Sequence, residues 1–182
     1  LVDYAKKNPG KVRYSSAGVG SFPHFDMEIF ARRASVDMIH IPNKTGAAGM
    51  VNDLVVGDAQ VGIINSASTA AMIKAGKMKA LGVSTKKRSP LAPEVPTLDE
   101  AGVRGFHVPA WFGMWVPAKT PRPIVARIHE VVVKAMNDMR PAIEKQGFKP
   151  GGDRPEEFDK FMRSEVEKFS RVIKAANIKA EN

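Results

Sequence analysis

Between Asn8 and His24 the chain passes through a turn, a strand, a loop of small residues and a helix start. That succession leaves few folds open. Pro9-Gly10 breaks whatever precedes it. Val12 and Tyr14 suit a strand. From Ser15 to Ser21 there is almost no side-chain bulk, so backbone N–H groups there can approach a ligand closely. An apolar helical pattern follows, with Phe25, Ile29 and Phe30 on one face. A strand feeding a glycine loop that opens a helix favours an anion, because free N–H groups and the helix dipole act together there. The same stretch also reads as a plain tight turn built from small residues.

The rest of the front half repeats this rhythm. Leu1 to Lys7 reads as a helix already under way, so the chain is expected to continue ahead of Leu1. Strands are expected over Val12–Ser16, Asp37–Pro42, Ala59–Ile64 and Met78–Ser84, and helices over His24–Ala34, Ala47–Val56 and from Asn65 to near Gly76. Short connections between alternating strands and helices indicate an α/β domain with a mainly parallel sheet. After Ser84 the prolines at 90, 93 and 96 suggest a segment wrapping the surface, with Thr97 capping a short helix over Leu98–Ala101. Phe106–Val116 is expected to cross as a strand between two lobes. Thr120-Pro121 starts a helix with Ile124, Val125, Ile128, Val132 and Met136 on one face. A last helix begins near Pro155, with Phe158, Phe161, Met162, Val166, Phe169, Val172 and Ile173 along one side.

Bulk properties narrow the function. At 182 residues, 43% hydrophobic and 26% charged, the chain has the composition of an ordinary globular protein. No apolar run is long enough to span a membrane. The absence of cysteine is compatible with an exported protein without disulfides. A net charge of +9 raises nucleic acid, acidic membranes and small anions as partners. The positive charges are dispersed, and the densest run, Lys86-Lys87-Arg88, reads as a solvated turn without interleaved aromatics, which argues against nucleic acid. No His or carboxylate pair has metal-ligand spacing, and no cofactor is expected. An enzyme using Ser15 or Ser16 with His24 would lack a Gly-x-Ser-x-Gly elbow. Gly18 and Gly20 lack the third glycine of a dinucleotide fingerprint.

Several motifs, in order, carry a resemblance. They are Asn8-Pro9-Gly10-Lys11 followed by Tyr14-Ser15-Ser16-Ala17-Gly18-Val19-Gly20-Ser21 and His24, then His40-Ile41-Pro42-Asn43-Lys44-Thr45. Next come Lys74-Ala75-Gly76-Lys77-Met78-Lys79-Ala80-Leu81-Gly82-Val83, Arg88 and Val95-Pro96-Thr97-Leu98-Asp99-Glu100-Ala101-Gly102. Trp111-Phe112-Gly113, Val116-Pro117-Ala118-Lys119-Thr120-Pro121 and Val172-Ile173-Lys174-Ala175-Ala176-Asn177-Ile178 complete the set. In these the chain resembles the periplasmic solute-binding receptors of tripartite tricarboxylate transporters, the family known from Bordetella uptake genes. The resemblance implies a type II periplasmic-binding-protein-like α/β fold with two lobes, the first incomplete because the family carries a further α/β segment ahead of Leu1. It divides the chain into a second lobe over 1–108, a returning first-lobe segment over 109–152 and a C-terminal helix over 153–182. It implies a non-enzymatic periplasmic protein that captures a small carboxylate, a di- or tricarboxylate or related organic acid, for the membrane permease subunits of its transporter. Family members often have an aromatic where Asn43 stands. Aspartate is frequent near Asn65 in members resembling amino-acid binders, so asparagine argues against an ammonium-bearing ligand.

The candidate ligand-binding residues are Ser16, Ala17, Gly18, Val19, Gly20, Ser21, His24, Asn65 and Ser66. Gly18, Val19, Gly20 and Ser21 offer backbone N–H groups, and Ser16 and Ser21 add hydroxyl donors. A hydrogen bond to a charged acceptor contributes roughly 1.5–3 kcal/mol. A few of them suffice for micromolar binding, about −8 kcal/mol. His24 is either a donor on the pocket wall or a helix-start residue bonded to local backbone. Asn65 and Ser66 stand where a strand gives way to a helix, the end at which open α/β sheets bind ligands; N-capping alone also explains them. Asn43 and Lys44 are weaker candidates, and His40 reads as structural. A ligand-sensing domain of a transcription regulator, which can share the two-lobe fold, is the alternative function.

Overall fold

A computed structural model describes residues 1–179. The chain divides into two compact units, one of residues 1–110 with the end of the last helix from Ser170, the other Trp111–Phe169.

The first unit is built on a parallel βαβ motif. After α1 (Val2–Lys7) come β1 (Val12–Ser16), α2 (Phe22–Ala34) and β2 (Met38–Pro42). β1 and β2 pair in parallel with Val12 opposite Met38 and Ser16 opposite Pro42. Alternation along β1 decides what each face meets. Tyr14 turns toward α2 and joins Met27, Phe30, Ala34, Val103, Phe106 and Val108 in the buried core. Ser15 turns the other way and bonds Asp53 of α3 (Gly46–Val56). α2 has Pro23 in its first turn and ends on Ser35 in the left-handed conformation, whose amide bonds back to Ala31 and Arg32 carbonyls. α4 (Ser66–Lys74) follows, capped by the Asn65 side chain.

Three expected strands do not form as strands. Residues 59–64 run beside β1 in parallel, joined by a single bridge between Tyr14 and Val61. The Arg13 carbonyl accepts from both Gln60 N–H (2.9 Å) and Val61 N–H (3.3 Å), and that sharing interrupts the evenly spaced parallel ladder. Residues 78–84 likewise make one bridge, Val83 to Thr97. The neighbouring segment contains Pro90, Pro93 and Pro96, which have no N–H to extend a ladder. Phe106–Val116 is not a strand either: Val108 N–H reaches the Ser84 carbonyl, but Pro109 beside it has no donor. The expected helix over Leu98–Ala101 is a turn. Thr97 nevertheless makes the reciprocal bonds of a capping box, its Oγ1 accepting from Glu100 N–H at 3.1 Å and its N–H donating to the Glu100 carboxylate at 2.8 Å.

The second unit contains α5 (Arg122–Asp138), α6 (Arg140–Lys145) and most of α7 (Pro155–Ala176). Its aromatic side chains pack edge to face: the Trp111 ring lies 5.2 Å from Phe161 and 6.1 Å from Phe158. Trp111 Nε1–H donates to Glu165 Oε2 at 2.9 Å, and Lys168 Nζ donates to the other oxygen of that buried carboxylate at 2.5 Å.

Candidate functional site

The glycine loop leaves the carboxyl end of β1 and enters α2, and the local sequence accounts for both joints. Gly18 and Gly20 have φ of +102° and +78°, which L side chains rarely adopt. These two positive angles allow the turn that Ser21 N–H closes on the Gly18 carbonyl at 3.2 Å. Ser16 is buried, Ala17, Gly18, Val19 and Ser21 are half-buried, and Gly20 is exposed.

The loop satisfies much of its own polarity. Ser16 Oγ accepts from Gly18 N–H at 3.2 Å and donates to the Gly18 carbonyl at 3.1 Å. Ser21 Oγ donates to that same carbonyl at 2.7 Å, and Ser21 N–H does so at 3.2 Å. Gly20 N–H donates to His24 Nδ1 at 3.1 Å. Of the four amides expected to face a ligand, those of Gly18, Gly20 and Ser21 are therefore engaged inside the loop. No hydrogen bond within the described residues takes the amides of Ala17 and Val19. These two alternate along the chain with the engaged amides of Gly18 and Gly20.

Beneath the loop lies a stack of rings from three elements. His24 of α2, 5% exposed, lies face to face with His40 of β2, with centroids 3.9 Å apart and planes 10° apart. His40 also stacks on its register partner Tyr14 at 4.9 Å. Tyr14 donates to Glu28 Oε1 at 2.8 Å, and His40 Nε2 sits 2.6 Å from Ser16 Oγ. Burial pushes His40 down to about 4, and the neighbouring His24 pushes the same way. Burial also lowers His24, against the pull of the Glu28 carboxylate. Burial and Glu28 raise Tyr14. Both imidazoles are thus neutral at pH 7. The stack was not legible from spacing, because the two histidines are far apart in sequence and meet only where α2 packs on the β1–β2 pair.

A second polar cluster lies on the opposite face of β1. Ser15 Oγ donates to Asp53 Oδ2 at 2.6 Å, and Asn43 Nδ2 donates to both Asp53 oxygens at 3.1 Å. Asn43 Oδ1 accepts from Thr45 N–H and Oγ1–H at 2.9 and 2.7 Å. Asn43 is thus tied to Asp53 and its own turn. An aspartate inside the apolar run Met50-Val51-Asn52-Asp53-Leu54-Val55 was the sequence signal for this cluster.

Asn65 and Ser66 are both exposed, at the end of the segment that runs beside β1. Asn65 Oδ1 accepts from Ser68 N–H at 2.9 Å, which is the capping role, and the NH₂ of the same side chain is a further donor. Two surface depressions, of about 460 and 430 Å³, are lined by Leu1, Tyr4, Arg13 and neighbours and by Glu28, Arg32, Asp37 and neighbours; neither includes a loop residue. Among the described residues no group of three or more His, Asp or Glu is placed to hold a metal, and no helix is long and apolar enough to cross a membrane.

The family signature described as "Tripartite tricarboxylate transporter family receptor" matches residues 1–178. The chain belongs to this family. A UPF0065 protein from the tcbD-tcbE intergenic region of a Pseudomonas species is 37% identical over 176 residues, covering 95% of this chain and 52% of its own length. Among solved structures, "R. palustris Rpa4515 with adipate" superposes with a TM-score of 0.88 at 30% identity, covering 98% of this chain and 60% of that one. The periplasmic binding protein BugD gives 0.83 at 29% identity, covering 100% and 62%. MatC from Rhodopseudomonas palustris with bound malate gives 0.81 at 28% identity, covering 94% and 60%. The fold is that of the periplasmic solute-binding proteins, as part of their two-lobe architecture. The chain spans about half the length of the curated relative and about 60% of each structure.

Proposed function

We propose that this chain forms part of a periplasmic receptor that captures a small carboxylate and passes it to the membrane permease of a tripartite tricarboxylate-type transporter. The observation that carries this reading is the glycine loop, with the Ala17 and Val19 amides open where β1 ends and α2 begins, in a chain whose solved relatives hold adipate and malate. Two amides and the amino end of a 13-residue helix favour one carboxylate group. Asn65 Nδ2 and the Ser66 hydroxyl are the second pair of donors, at the end of the segment that runs beside β1. Ser16, Gly18, Gly20 and Ser21 shape the loop. Neutral amide donors hold the ligand without a lysine or arginine, and no bond is made or broken.

Gly20→Val tests the site. A Cβ at Gly20 meets nothing within 4 Å, so the strain of the substitution is in the backbone, whose positive φ valine rarely adopts. That strain is roughly 1–2 kcal/mol. The expected result is a folded chain with a slightly lower Tm that no longer binds adipate or malate in calorimetric titration. Unchanged affinity would remove the loop from the site.

A further inference from the structure

The shape of the glycine loop depends on what its amides are bonded to. We propose that His24 is a positioning residue: its unprotonated Nδ1 holds the Gly20 amide, and this bond decides which loop amides face the ligand. The inference rests on the reading of the loop as the carboxylate site, and goes beyond it by taking His24 out of ligand contact.

The chemistry follows from which groups can donate. A backbone N–H only donates, so the 3.1 Å contact from Gly20 requires a lone pair on His24 Nδ1. His24 is then the Nε2–H tautomer. A proton on Nδ1 would set two donors against each other and release Gly20. The ring cannot swing away easily, because it is 5% exposed and lies 3.9 Å over His40. His40 is itself tied to Ser16 Oγ at 2.6 Å, and Ser16 holds Gly18. The ring pair therefore grips the loop twice, at Gly18 through Ser16 and at Gly20 directly. With those alternate amides engaged, Ala17 and Val19 are the ones left without a hydrogen-bond partner in the loop. The groups facing the pair are Tyr14 from β1 and Glu28 from α2, bonded to each other.

The test uses two variants and three readouts. His24→Phe keeps a ring for the stack and removes the acceptor. His24→Asn gives up the stack but returns an acceptor oxygen near the place of Nδ1. In wild type, long-range ¹H–¹⁵N correlation of the imidazole at neutral pH should show the Nε2–H tautomer. Gly20 N–H should be protected from exchange. His24→Phe should lose about tenfold of that protection, as expected for one lost hydrogen bond, while Met27 and Phe30 amides stay protected. Adipate affinity should fall by a similar factor, and His24→Asn should recover both. An Nδ1–H tautomer overturns the proposal. So does unchanged Gly20 protection in folded His24→Phe, or lost affinity with Gly20 still protected, which would make His24 a ligand contact. If His24→Phe unfolds, the wild-type tautomer and His24→Asn decide. If wild type binds no carboxylate, the transport reading fails, while tautomer and exchange still judge the positioning role.

Discussion

At the scale of single residues, the His24–His40 pair links the site to pH. In the unfolded chain both imidazoles titrate near their ordinary value of 6.5, while in the folded chain burial holds both lower, His40 at about 4. Between those values the unfolded chain binds more protons, so the pair's contribution to stability is level above about pH 6.5 and falls as the pH drops toward 4. The groups facing the pair are Tyr14 and Glu28, and Glu28 opposes the effect on His24. His40→Gln keeps a polar partner for Ser16 and removes a titrating group. It should flatten the decline between pH 6.5 and 4, by on the order of 2 kcal/mol for a ring that is not fully buried. Urea midpoints measured across that range check this, and a slope equal to wild type would show that the ring is not held neutral.

At the scale of elements, β1 organises the site by sending alternate side chains to two faces. The α3 face holds the Ser15–Asp53–Asn43 cluster, and Asp53, 8% exposed, accepts from both partners. Asp53→Ala should cost about 2–4 kcal/mol, because the fully buried Ser15 hydroxyl and the half-buried Asn43 amide each lose their acceptor. The urea midpoint should fall with an unchanged m-value; a loss under about 0.5 kcal/mol would mean that water replaces the carboxylate. The βαβ unit was legible because Val12 and Tyr14 suit a strand, the small-residue loop gives way to a helix start and the apolar period changes between elements. The strands at 59–64 and 78–84 were misjudged because apolar runs show burial and not which carbonyl each amide reaches. The loop's position was legible for the same reason as the βαβ unit. The amides engaged within it were not, since side-chain spacing carries no record of which acceptor a backbone N–H reaches.

At the scale of the whole molecule, the second unit depends on aromatic packing at Gly113. A Cβ there would collide with the Phe158 ring and press on Trp115. Gly113→Ala should therefore shift the tryptophan emission and destabilise that unit by about 1–3 kcal/mol. Unchanged emission and Tm would show that the ring moves aside freely. The family assignment rests on matches running from end to end of the chain, as the ordered motifs implied, whereas no single motif would have sufficed.

The central claim, that the glycine loop receives a carboxylate, is tested most directly by titrating the ¹⁵N-labelled chain with adipate and with hexanediol as the uncharged control, following backbone amides. The account predicts that adipate moves Ala17 and Val19 first and furthest, that Asn65 Nδ2 follows, and that hexanediol moves none of them. Shifts that spare the loop, or that the diol reproduces, would contradict it.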